Sequence, residues 1–306
     1  MYHARLSALL VFLCGFVTCT VIGSKRGISA EHDPNMIVFD TGSFEVPVSE
    51  SFQCFYTSII TDRELSIVSA STEQGIGGHH VSIYYVDHWR KPHRFACAGT
   101  AEMTDWHFVI GAGGEGQVRA DLMQLADGLA IKVPAGKQLL VQAHYINTSG
   151  SPHTENDRVR IKLTDPARVV AYAADFVIND HAFVVRPQTA TKSSMICTLP
   201  KETQLVMLLG HMHKHGTYYK LERVDEEGHS LEVLYEHNWN PSYTFHPPIQ
   251  RYSLETPLRL AKGTRLRQTC KWSNTTSGTL RFPTEMCVGF GYYFPGNNRL
   301  LCEHLS

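Results

Sequence analysis

The chain has 306 residues, 43% of them hydrophobic and 19% charged, with a formal net charge of −1. That composition allows a packed core and excludes a globally disordered chain. The near-neutral balance argues against nucleic acid or an anionic membrane surface as a partner, and the unusual feature is 17 histidines.

The N-terminus opens with MYHARLS, which carries one arginine, and continues into the apolar run ALLVFLCGFVTCTVIG. A run of about 15 apolar residues is short for a bilayer span. It reads as an export signal, residues 1–23, with cleavage after Gly23. A retained membrane anchor is the alternative. Neither Cys14 nor Cys19 follows a convincing lipid-attachment motif. No later segment could cross a bilayer, so the mature chain is expected to be exported without stable membrane insertion. Six cysteines remain past the signal: Cys54, Cys97, Cys197, Cys270, Cys287 and Cys302. An even number in an exported protein suggests three disulfides, and the sequence alone does not choose their pairing. No C-x-x-C occurs, which argues against a zinc ribbon or a thioredoxin-like site.

From residue 35 onward the texture is β. HVSIYYVD, LLVQAHYI, RVRIKLTD, QLVMLLGHMH, YYKLERV, SLEVLYEH and TRLRQTCKW are short β-branched and aromatic runs, partly alternating, with Gly, Pro, Asn and Asp between them. VRADLMQLADGLA (118–130) is at most a short helix or an irregular loop. VDEEGHS predicts a hairpin turn. VPAGKQLLVQAHY and LAKGTRLRQTCKW each set a glycine turn just before a strand, which suggests two halves of related architecture. The pattern predicts an all-β chain of two tandem, jelly-roll-like β-sandwich domains, 35–168 and 169–306, with the seam in LTDPARVVAY.

Three histidine clusters fall on these runs. His79 and His80 follow a glycine-rich turn in GIGGHHVSIYY. Neighbours on a regular strand face opposite ways, so one metal could hold both only if the backbone bends or bulges, which Gly75, Gly77 and Gly78 permit. His144 sits in VQAHYIN. His211, His213 and His215 alternate in GHMHKHG, and on a strand they would share a face. Imidazole is a common metal ligand. Met286, in PTEMCVGFGYYFP, is ordinary core filler unless the metal is soft, as copper(I) is.

Taken in order, GHHVSIYY, QAHYIN, GHMHKHG and TEMCVGFGYYFP resemble the copper type II, ascorbate-dependent monooxygenases, the family of the peptidylglycine α-hydroxylating and dopamine β-hydroxylating enzymes. The resemblance covers roughly residues 35–305. It implies two coppers per chain, one on His79, His80 and His144, the other on His211, His213 and Met286. It implies disulfides Cys54–Cys97, Cys197–Cys302 and Cys270–Cys287. It also implies ascorbate as reductant, and hydroxylation of an sp3 C–H of a small organic or peptide substrate with O2. In that scheme the His/Met copper activates oxygen and the all-histidine copper supplies a further electron. Gln142 shares a face with His144 and is either a hydrogen-bonding partner of the metal site or an ordinary strand residue. His215 has no counterpart as a ligand and fits a supporting or surface role.

The chain departs from the peptide-hydroxylating members where they hold a substrate carboxylate: here those positions are Leu209 and Val288, with Phe290 beyond. A neutral or apolar substrate is the expectation. A catalytically inactive copper-binding or sensing protein of the same fold is the alternative, and a structural protein with incidental histidines a third. His88, His93, His107, His153, His181, His229, His237 and His246 show no defensible pairing. Two N-glycosylation sequons occur, at Asn147 and Asn274, and could carry glycans in a eukaryotic secretory route.

Overall fold

The alternating runs become strands almost everywhere. The computed structural model describes residues 33–97, 105–113, 119–120, 123–244, 246–282 and 284–304. The export signal expected at 1–23 lies outside them. No α-helix occurs among the described residues, and no helix there is long and apolar enough to cross a membrane. The all-β expectation therefore holds, in a sandwich-type arrangement of several sheets.

One antiparallel sheet orders His93–Ala96, Ser49–Ile60, Gln138–Asn147, Gly78–Val86 and Trp106–Ala112. A second orders Thr189–Thr198, Arg265–Asn274, Gly216–Val224 and Ser230–Asn238. A longer sheet takes Met36–Asp40, Arg158–Leu163, Leu65–Glu73 and Leu129–Val133 from the first half. It continues through Ala171–Asp180, Val288–Phe294 and Thr203–His211 from the second. The halves join within it, where Ala171–Ala173 pairs in parallel with Leu129–Ile131. The chain reaches this join through a short turn, Pro166–Arg168, capped by the Asp165 side chain accepting from the Ala167 N–H.

Burial follows the pleat. Leu65, Ile83 and Val141 of the first half share one apolar core with Met207, Leu209 and Tyr292 of the second. A second core, around Phe176, Tyr219, Leu266 and Trp272, belongs to the second half. The disulfides are Cys54–Cys97, Cys197–Cys302 and Cys270–Cys287, a usage typical of oxidising compartments. The hairpin expected at VDEEGHS lies between Val224 and Ser230, closed by the Asp225 N–H donating to His229 O.

Two loops at matching places are built alike. Gly136 and Gly263, at φ +77° and +83°, turn the chain into Gln138–Asn147 and Arg265–Asn274. Each strand ends on a buried asparagine. Its Oδ1 accepts the N–H and hydroxyl of Ser149 or Thr276, and its Nδ2 donates to Ser151 O or Gly278 O.

Candidate metal centres

His80 and His144 are cross-strand partners, and the ladder slips immediately beyond them, so that Tyr145 pairs with Gly78 and His79 is the extra residue. This irregularity turns both adjacent histidines toward His144. Ring centroids are 4.5 Å apart for His79–His80, 4.4 Å for His79–His144 and 4.9 Å for His80–His144. One nitrogen from each ring falls within 4.8 Å of the others. Gly78 is needed for the bend, because a Cβ there would stand 2.4 Å from Gln74 Cβ.

The hydrogen bonds fix the tautomers. His79 Nε2 lies 2.8 Å from Thr244 O, and His144 Nε2 lies 2.9 Å from Glu50 Oε1. A carbonyl and a carboxylate only accept, so both Nε2 atoms carry the proton. That leaves the two Nδ1 lone pairs facing each other at 2.8 Å. Such an arrangement calls for a cation between them. Metal-bound imidazoles are typically held by acceptors on their other nitrogen in this way, so the residues fit a metal ion. Phe52 stacks on the His144 ring at 4.0 Å and limits its rotation.

The GHMHKHG stretch does not run on as a strand. Thr203–His211 stops at His211, Met212 turns into the core and residues 213–215 form a turn. His211 and His213 still approach, with ring centroids 5.3 Å apart. The ladder ends because Glu285 takes over its donors: its carboxylate accepts from His213 N–H at 3.2 Å and His215 N–H at 2.8 Å, and from Trp272 Nε1–H at 3.2 Å. His213 Nδ1–H donates to Thr284 O at 2.9 Å, which leaves Nε2 for a metal. Met286 follows Glu285, precedes the Cys270–Cys287 disulfide, and lies two residues before Val288, the partner of His211. Burial, then Lys214 and His213, lowers the His215 imidazole.

Burial, then the charges of His80 and His144, hold the His79 imidazole well below its ordinary range. Burial, then His144, His211 and His213, does the same to His80. Burial followed by His213, His79 and His144 lowers His211. His144 is lowered by burial, against the raising effect of Glu50. Burial alone would raise Glu50, but His144, His213 and Lys214 outweigh it and hold the carboxyl low. These histidines are therefore neutral near pH 7, the form that binds metal.

Gln142 is buried on the strand of His144. Its Oε1 accepts from the Tyr84 hydroxyl at 3.3 Å, and its Nε2 points at the sulfurs of Cys54 and Cys97. The histidines without an expected pairing include several on carboxylates: His88 on Asp105, His107 on Asp87 and His229 on Asp225. Glu50 and Thr244 carry no signal in the sequence. Only Glu285 had a local signal, as the residue before Met-Cys.

No curated protein matches the chain. Among solved structures, the chain is similar to the STIV MCP at 9% identity and a TM-score of 0.31, covering 84% of this chain and 95% of that one. It is similar to a structure of infectious bursal disease virus, Gx strain, at 8% identity and a TM-score of 0.20, covering 86% and 73%. Superpositions this poor carry no argument. The C-terminal half is different: residues 171–305 match the family model described as copper type II ascorbate-dependent monooxygenase, C-terminal domain. That stretch contains His211, His213, Glu285 and Met286, and over it the chain is similar to the C-terminal domain of the copper type II ascorbate-dependent monooxygenases.

Proposed function

We propose that the protein is an exported copper monooxygenase with one metal centre in each half, 35–168 and 169–306. It hydroxylates an sp3 C–H of a small organic or peptide substrate, with O2 and an ascorbate-type reductant. The observation that carries this reading is the pair of Nδ1 lone pairs on His79 and His144, 2.8 Å apart with both Nε2 atoms already donating.

Copper at His79, His80 and His144, and at His211, His213 and Met286, would supply one-electron redox chemistry and dioxygen activation. The protein's own groups do the positioning. Thr244 O and Glu50 orient the first set, while Thr284 O and Glu285 orient the second. Leu209 and Val288, with Phe290 beyond, stand where the peptide-hydroxylating members hold a substrate carboxylate. Leu209 is buried in the core shared by the halves, and Phe290 packs edge-on against Phe108 with centroids 5.4 Å apart. A neutral or apolar substrate fits such surroundings better than an anion.

The test is copper stoichiometry of the mature chain, followed by ascorbate-dependent oxygen uptake in a substrate screen. Two coppers in the wild type, one in His213→Ala, and coupled oxygen uptake are expected. Two coppers without any turnover would favour a copper-binding protein that has lost catalysis. No bound copper would end the reading.

A further inference from the structure

The first metal centre is completed from the other half of the chain. His79 belongs to Gly78–Val86, yet the acceptor for its Nε2–H is Thr244 O, in the 3-10 turn Pro241–Thr244. That turn is itself fixed to the second centre. Trp239 Nε1–H donates to His213 O at 3.1 Å, and Trp239 N–H donates to Thr217 O at 2.9 Å. The Trp239 ring meets Tyr243 edge-on, with centroids 5.6 Å apart. Between them, Asn240 closes the turn: its Oδ1 accepts from Ser242 N–H and hydroxyl, and its backbone O accepts from Tyr243 N–H. Thr244 is 6% exposed, and its hydroxyl has no hydrogen-bond partner. The segment is thus held by its ring contacts and backbone, not by its threonine side chain.

Resting on the copper reading above, we infer that residues 239–244 are a strap that couples the two metal centres. The strap positions His79 through Thr244 O according to where Trp239 sits against His213. None of its residues is among the proposed ligands, so they are positioning residues. Two properties follow. Disturbing the strap on its C-terminal side must alter the N-terminal centre. One route of neighbouring residues between the two sets of ligands runs His79–Thr244–Tyr243–Trp239–His213, so a shift of Trp239 reaches His79 through the turn.

The variants Tyr243→Ala and Tyr243→Phe test this, because the first removes the ring that meets Trp239 and the second keeps it. Two readouts are used. One is the His79 Nε2–H signal in metal-free, 15N-histidine-labelled protein, assigned by its loss in His79→Ala. The other is copper(I) affinity of the N-terminal centre, measured by chelator competition in a His213→Ala background. Tyr243→Ala should erase the slowly exchanging signal and weaken copper by about tenfold, the usual cost of losing an outer-shell partner; Tyr243→Phe should keep both. Should Tyr243→Ala fail to fold, Trp239→Phe, which removes only the donor to His213 O, should broaden the same signal. A folded Tyr243→Ala with an unchanged signal and unchanged affinity would overturn the strap. If the His213→Ala chain takes no copper, yet Tyr243→Ala still erases the signal, the strap stands and the copper reading fails.

Discussion

Gly216 lies directly against Trp239: a Cβ at residue 216 would stand 2.8 Å from Trp239 Cδ1 and 3.0 Å from Met212 Cβ. At the other end of the same stretch, a Cβ on Gly210 would come within 2.4 Å of the Tyr219 ring. The glycines of GHMHKHG thus admit two aromatic rings at either side of His211 and His213. Gly216→Ala is expected to cost about 1–3 kcal/mol through overpacking, lowering the melting temperature and loosening copper in the C-terminal centre. Gly278→Ala, whose Cβ would enter open space, is the neutral control. Equal melting temperatures for the two variants would refute the account.

Glu285→Gln tests the anchor of the turn. The carboxylate takes two backbone N–H groups and an indole N–H in a fully buried position. Burial raises its pKa, against the lowering effect of those donors and of His213. An amide offers one acceptor oxygen and sets its own N–H against a donor. A loss of about 2 kcal/mol is expected from that mismatch, with copper lost from the C-terminal centre and kept in the N-terminal one. Chemical denaturation and copper analysis on the same preparation check it.

Asp157 gives a pH signature unrelated to metal. Burial raises its carboxyl to about 6, against hydrogen bonds from Tyr145 and Gln74 that lower it. The folded state therefore holds this proton after the unfolded chain, with its ordinary value of 3.8, has lost it. Stability from this group is present below pH 4 and is lost as the pH rises toward 6. Asp157→Asn should remove that loss, and Gln74 Oε1, which has no partner in the wild type, gains a donor. The variant is expected to gain stability relative to wild type between pH 4 and 7, by roughly 3 kcal/mol at most. A constant difference across that range would contradict it.

The sequons read differently in three dimensions. Asn147 and Asn274 are 2% and 1% exposed, and both of their amide nitrogens already donate to backbone carbonyls. A glycan on either nitrogen would break the loop that ends its strand. Protein secreted from a eukaryotic host is expected to have the intact mass of the bare polypeptide, unchanged by glycosidase. Asn274→Gln should lower the melting temperature, because the longer side chain cannot repeat the loop hydrogen bonds.

Much of this was legible in the sequence, and for identifiable reasons. Period-2 runs such as HVSIYYVD carry their own strand signal, because alternation decides which face is buried. The glycine-rich approach to His79 and His80 announced an irregular backbone, and the ladder does slip there. GHMHKHG misled in one respect: three alternate histidines suggest a continuous strand, but a carboxylate 70 residues away captures the backbone donors and ends it at His211. Glu50 and Thr244 were invisible for the same reason. Nothing in VSESFQC or PSYTF marks an acceptor, since the role comes from a neighbour far along the chain.

The parallel ladder between Leu129–Ile131 and Ala171–Ala173, with the apolar core that continues past it, bears on how the chain folds. Neither half can complete its sheet alone, and each would expose the other's docking surface. Melting should then be a single transition, with calorimetric and van't Hoff enthalpies equal. A cut at the seam should yield fragments that associate or aggregate instead of two autonomous folds. Its folding rate is set by such long-range pairing, which makes it slow for its size.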